Sequence, residues 1–183
     1  MANYDVYEGQ TSTGITLTTN HTMDVFSGGV ANSTTVNGGD LNIYRGGSAN
    51  SITVNKGGDL FVNSGGTAIN IVENGGYVYV EEGADVTFLP TTINSLVVSN
   101  TRATLHSKTV ANSTTVDYGG TLGVKNGGMA DSTTVNGGSL DVSNGGIVNS
   151  TTVYGGWLTV DQGGIVNSAA VLRGNLNVSG ILT

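Results

Sequence analysis

Residues 111–128 read ANSTTVDYGGTLGVKNGG. Within this stretch Leu122 and Val124 stand two apart, the spacing of a strand that buries one face. Gly119-Gly120 and Gly127-Gly128 bracket them; paired glycines break helices and suit turns, because glycine tolerates positive φ. The six-residue motif that opens the stretch also occupies residues 31–36, and the L-x-V element returns as Leu41/Ile43, Leu140/Val142, Leu158/Val160 and Leu176/Val178. Twelve Gly-Gly pairs punctuate the chain and use most of its 30 glycines.

The residue that closes the first motif recurs from Leu17 through Val36, Val54, Val72, Val98, Val116, Val135 and Val153 to Val171. Successive steps are 19, 18, 18, 26, 18, 19, 18 and 18 residues. Hairpin proteins vary their turns, whereas here one residue type returns at one phase, which predicts coils stacked so that like residues form columns. The predicted fold is therefore all-β: a single-domain β-solenoid, a right-handed parallel β-helix of about nine to ten 18-residue coils, at ~4.8 Å per coil. The step of 26 places an eight-residue loop at residues 85–92, between a first block of coils (1–84) and a second (93–183). Tyr4 and Val6 stand in for the L-x-V pair in an atypical first coil. Val72, Leu105 and Ser107 are assigned to inward columns, and Asn32, Asn50, Asn94, Asn112, Asn149 and Asn167 to a corner ladder of stacked amides.

Composition narrows the function. Of 183 residues only 6 are basic and 13 are acidic, for a net charge of −7. Neutralising phosphates needs a Lys/Arg patch, so nucleic acid is disfavoured as a partner. There is no cysteine, hence no thiol nucleophile and no disulfide. No stretch approaches the roughly 20 apolar residues of a membrane-spanning helix, and no export signal is visible near the start.

Taken together, G-G-x-A-N-S-T-T-V-N-G-G-x-L-x-V-x-x-G-G resembles the 18–19-residue repeats in passenger domains of bacterial autotransporter adhesins, in particular the self-associating group that includes the diffuse-adherence adhesin. The resemblance spans about residues 25–178. It implies a right-handed β-helical passenger, adhesion and cell–cell aggregation and, as in some members, O-linked heptose on Ser and Thr. The chain departs from the family in showing neither an export signal nor a C-terminal membrane barrel.

The expected function is thus a non-enzymatic adhesin-like module, extracellular or at the cell surface. Its expected partners are other copies of itself, a receptor of unspecified kind and a glycosyltransferase, with no cofactor and no metal. Candidate glycosylation rows are Ser33, Ser51, Ser113, Ser132 and Ser150, and Thr35, Thr53, Thr115, Thr134 and Thr152. A candidate interaction patch groups Phe61, Ile71, Tyr77, Tyr79 and Val97, apolar residues at positions read as outward. Two alternatives compete. A polysaccharide-active β-helix enzyme needs paired acids facing a cleft, for which Glu81-Glu82 with Asp85 is the best offer. An ice-binding solenoid needs an unbroken Thr row, and this one is interrupted.

Overall fold

The computed structural model describes residues 2–183. Its regular structure is β-strand, arranged in two compact units, Met1–Leu89 and Pro90–Thr183. Strand pairs join in parallel throughout both, so each coil lies on the one before it, as the repeat spacing predicts. The fold is a β-solenoid.

In the first unit one five-stranded sheet runs through Ala2–Val6, His21–Val25, Asp40–Ile43, Asp59–Val62 and Tyr77–Val80. Its inward column is Tyr4, Met23, Leu41, Leu60 and Val78, and the next is Val6, Val25, Ile43, Val62 and Val80. Tyr4 and Val6 indeed hold the L-x-V places. A seven-stranded sheet carries the A-N-S-T-T-V motif on the other side of the coils. In the second unit an 11-stranded sheet does both jobs, and Met129–Val142 and Ile147–Val160 pass through both motifs without a break. Leu122, Leu140 and Leu158 stack in register with no exposed surface. Burying a leucine in this way contributes about 1.5–3 kcal/mol. Leu176 continues the register, opposite Leu158, and is 42% exposed.

The Gly-Gly pairs have two separate causes. Gly57 sits at φ +80, which L side chains rarely adopt, with open space around it. Gly58 has ordinary φ, but a Cβ there would lie 2.6 Å from the Val36 carbonyl oxygen of the previous coil. The first glycine turns the chain, and the second lets two backbones approach.

Three placements differ from the sequence reading. Residues 85–92 are not a loop: Asp85–Phe88 is a strand, paired with Thr67–Asn74, and Phe88 is buried opposite Ile71. Thr91–Asn94 opens the second unit against Thr109–Asn112. The chain passes twice through the position of the Ala column, as Val86 opposite Ala68 and as Ile93 opposite Ala111. Those extra residues account for the long step.

The second difference is a slip of one residue. Ala68 pairs with Ala49, Ile71 with Ile52, Val72 with Thr53 and Glu73 with Val54, an offset of 19. Val72 therefore leaves the inward column, and Glu73 enters it, fully buried. The turn at Gly75 then drops a residue, and Tyr77 pairs with Asp59 at an offset of 18. The third lies in the first coil of the second unit, where Ala103 opposes Leu122 and Leu105 opposes Val124. Leu105 thus stands in the column expected for Ser107, two residues along, and Ser107 is exposed.

Candidate functional site

The most repetitive exposed chemistry is a corner built by serine. Ser33, Ser51, Ser113, Ser132 and Ser150 are all exposed, and each has positive φ, between 53 and 59. Ser95 and Ser168 share the conformation, and Asn70 takes it in the slipped coil. A non-glycine residue pays for a left-handed backbone with roughly 1–2 kcal/mol of steric strain, and asparagine tolerates it better than serine does. The corner is held from behind. Ser33 N donates to the Asn50 carbonyl, Ser95 N to that of Asn112 and Ser113 N to that of Asp131, all at 2.9–3.0 Å. Beside it the expected amide ladder forms. Asn112 donates to Asn94 at 3.1 Å, Asn149 to Asp131 at 2.6 Å and Asn167 to Asn149 at 2.8 Å. A rigid backbone and a ladder of amides thus hold one hydroxyl per coil outward, coil spacing being ~4.8 Å.

The threonine row differs in kind. Thr35, Thr53, Thr115, Thr134 and Thr152 lie on the strand face, half-buried, in register with one another within each unit. Val72 closes the row in the first unit; in the second, Val97 and Ala170 bound it. The two candidate rows are therefore unequal, serine standing at a protruding corner and threonine on a flat, crowded strand.

The apolar patch divides. Phe61 lies 6.1 Å from Tyr77 and 6.3 Å from Tyr79, ring centroid to centroid, on the outer face of the five-stranded sheet. Ile71 is not part of it. The one-residue slip turns Ile71 inward, where it has no exposed surface. Val97 is 42% exposed and belongs to the second unit.

That same outer face carries a second aromatic group, absent from the sequence-based patch. Tyr7, Phe26 and Tyr44 stack with centroids 5.0 and 5.1 Å apart and planes within 7° of parallel. They occupy one place in three successive coils, directly after the inward Val6, Val25 and Ile43. That common phase was the available signal. Next to them run carboxylates. Asp5 is in register with Asp24, and Asp40 with Asp59. Asp24 accepts a 2.7 Å hydrogen bond from Asn42, and Asp5 accepts one of 3.2 Å from the Tyr7 hydroxyl. The Asp5 charge raises the pKa of Tyr7, with burial and Asp24 adding to it. Burial, followed by Asp24, raises that of Tyr44.

In the second unit Lys125 donates to Ser143 at 3.1 Å, and its stem passes over Gly123. Burial raises the pKa of Asp141, against the opposing effects of Lys125 and of a hydrogen bond from Thr159. Glu81, Glu82 and Asp85 are exposed, and Glu81 accepts a hydrogen bond from Ser64 N at 3.0 Å. Among the described residues no group of three or more His, Cys, Asp or Glu is placed to hold a metal ion, and no helix is long and apolar enough to cross a membrane.

No family model matches the chain. No curated protein matches it. Among solved structures it is similar to the crystal structure of a TibA fragment, hyper-glycosylated in a TibC-catalysed reaction. The two are 26% identical, with a TM-score of 0.41, over 99% of this chain and 94% of that one.

The repeat alone indicated the serine corner, but not its left-handed backbone. Serine is a common residue in ordinary turns, so nothing in its identity marks the strain.

Proposed function

We propose that the chain is a non-enzymatic, surface-displayed or secreted solenoid module that acts in adhesion or self-association and accepts O-linked sugar on its serine corner. The observation that carries this reading is the recurrence of an exposed serine at positive φ in one corner of successive coils. A position where asparagine or glycine is less strained keeps a hydroxyl instead, and strain retained at an exposed site is a mark of function. The resemblance of the repeat to autotransporter passengers supports the same reading, as does the columnar, polar exterior, which offers many equivalent acceptors. The Thr row is the poorer acceptor, because a half-buried strand hydroxyl gives a transferase little room.

Co-expression with a passenger-type glycosyltransferase, followed by intact-mass measurement and peptide mapping, tests the acceptor assignment. Sugar is expected on Ser132 and Ser150 and not on Thr134 and Thr152. Ser132→Ala and Ser150→Ala should each remove one increment of mass. Display of the chain on non-aggregating bacteria should make them settle together. Unmodified serines under these conditions, with cells that stay dispersed, would overturn the proposal.

A further inference from the structure

We propose that Asn37 is a site of spontaneous backbone modification: the Gly38 nitrogen attacks the Asn37 side-chain carbonyl, and solvent water opens the resulting ring to leave isoaspartate in the corner between Val36 and Asp40. This inference stands on other residues than the serine corner and does not depend on glycosylation.

Asparagine is a chemically labile residue, and most labile before glycine, where no Cβ shields the following nitrogen and the backbone turns freely. Five corners carry this dipeptide: Asn37-Gly38, Asn74-Gly75, Asn126-Gly127, Asn136-Gly137 and Asn144-Gly145. All five asparagines are exposed. In the reaction the glycine nitrogen gives its proton to solvent and bonds to the asparagine Cγ. The side-chain nitrogen takes up a proton and leaves as ammonia, which closes a succinimide ring. Water then adds to one of the two ring carbonyls. Opening at Cγ gives aspartate. Opening at the main-chain carbonyl gives isoaspartate, in which the backbone runs through Cβ and Cγ and the former main-chain carbonyl carbon becomes a free carboxylate.

Hydrogen bonding separates the five. The nitrogens of Gly127 and Gly145 donate to the carbonyls of Gly145 and Gly163 in the following coil, both at 2.9 Å. Attack on Asn126 or Asn144 must first break that bond. Asn74 and Asn136 are restrained through the side chain instead: Asn74 Nδ2 donates to Asn55 at 2.8 Å and Asn136 Nδ2 to Asp117 at 3.3 Å. Asn37 has neither restraint. Its side chain has no hydrogen-bond partner among the described residues. The Gly38 nitrogen makes no bond to the following coil like those of Gly127 and Gly145, and Gly38 is bridged only to Thr18 of the coil before. The corner also has room for the product. In the next coil the same corner runs from Val54 to Asp59 and holds one residue more, Lys56, yet Val36 still pairs with Val54 and Asp40 with Asp59. An isoaspartyl linkage lengthens the backbone by a single carbon, less than that extra residue does.

Incubation of the full chain at pH 8, folded and in urea, tests the proposal by peptide mapping, with electron-transfer fragmentation to tell isoaspartate from aspartate. In urea the five sites should react at comparable rates. In the folded chain Asn126 and Asn144 should slow by about 10-fold or more, while Asn37 should stay within about 3-fold of its rate in urea. Asn74 and Asn136 should slow as well. Asn37→Gln, whose attack would have to close a larger and less favourable ring, should remove the fast site and leave the other four rates unchanged. The chain that has accumulated isoaspartate at position 37 should keep its β-type circular dichroism. Modification of Asn37 no faster than that of Asn126 in the folded chain would overturn the proposal. So would aspartate at position 37 without isoaspartate, or loss of the β signal in step with isoaspartate formation.

Discussion

Thr133 and Thr151 stand in register on adjacent coils of the second unit, and both hydroxyl oxygens are buried without a hydrogen-bond partner among the described residues. Thr114, one coil earlier, repeats the arrangement, as does Thr34 in the first unit. An unsatisfied buried hydroxyl costs about 1–3 kcal/mol. In the first unit Ile52 and Ile71 fill the equivalent place. Thr133→Val and Thr151→Val keep the shape and remove the polar atom, so each is expected to raise stability by about 1 kcal/mol. Urea unfolding monitored by circular dichroism checks this, and a loss of stability would show that the hydroxyls are satisfied in solution.

The column assignment makes a sharper contrast at neighbouring positions. Leu140→Ala removes a fully buried side chain from between Leu122 and Leu158 and should cost roughly 2–5 kcal/mol. Asp141→Ala, one residue along and on the outer side, should stay within about 1 kcal/mol. Equal shifts in the thermal midpoint at the two sites would contradict the stacking.

Asp141 also sets a pH dependence. Its folded-state pKa is raised, chiefly by burial, so between the unfolded and folded values the native state binds more protons than the unfolded one. Stability from this group therefore increases as pH falls through the folded pKa and is lost as pH rises through it. Asp141→Asn, whose side-chain carbonyl still accepts from Thr159, should stabilise the protein at pH 7. Its advantage should shrink toward pH 4, as followed by thermal melts across that range.

The serine corner predicts a gain that function opposes. Ser132→Gly and Ser132→Asn relieve the positive φ and should stabilise by about 1 kcal/mol. Both also remove the hydroxyl. If denaturation shows no gain at Ser132 or its equivalents, the strain has been overestimated.

The junction between the units gives a fifth test. Phe88 is buried in the core of the first unit, in register with Ile71. Phe88→Ala should therefore destabilise that unit by about 3–5 kcal/mol. Deleting residues 85–92, which the 18-residue period alone marks as expendable, should destabilise it too, because a paired strand is lost. A deletion variant with an unchanged melting curve would restore the loop reading.

What could be read from the sequence follows from what repeats. Leu140, Leu158, Val142 and Val160 announce themselves, because alternation and recurrence place them in the same columns. The Asn112–Asn94 and Asn167–Asn149 bonds follow from the phase of the amides. Recurrence misleads where a coil changes length while keeping its residue types. Val72 continued the valine series by number, yet Ala68 opposite Ala49 moves it outward and brings Glu73 in. The long step counts Phe88 into a loop, although the alternation of Val86 and Phe88 is that of a strand. The stack of Tyr7, Phe26 and Tyr44 is hidden by the rest of its column, where other coils carry polar or charged residues: Asn63, Glu81, His106, Lys125, Ser143, Asp161 and Ser179.

The slipped coil bears on how such a chain tolerates insertions and deletions. A residue gained before Ala68 moves every partner through Asn74 by one place, and the shortened turn at Gly75 returns Tyr77 to the common phase. The error is confined to a single rung, as a frameshift is when a second one follows closely. In an ordinary sheet a one-residue slip exchanges the two faces for the rest of the strand. Here each glycine corner resets the count, so a lineage of such chains can gain and lose single residues at corners while the columns on either side keep their identity. The buried carboxyl of Glu73, opposite Val54 of the coil before, marks the rung that carries the extra residue.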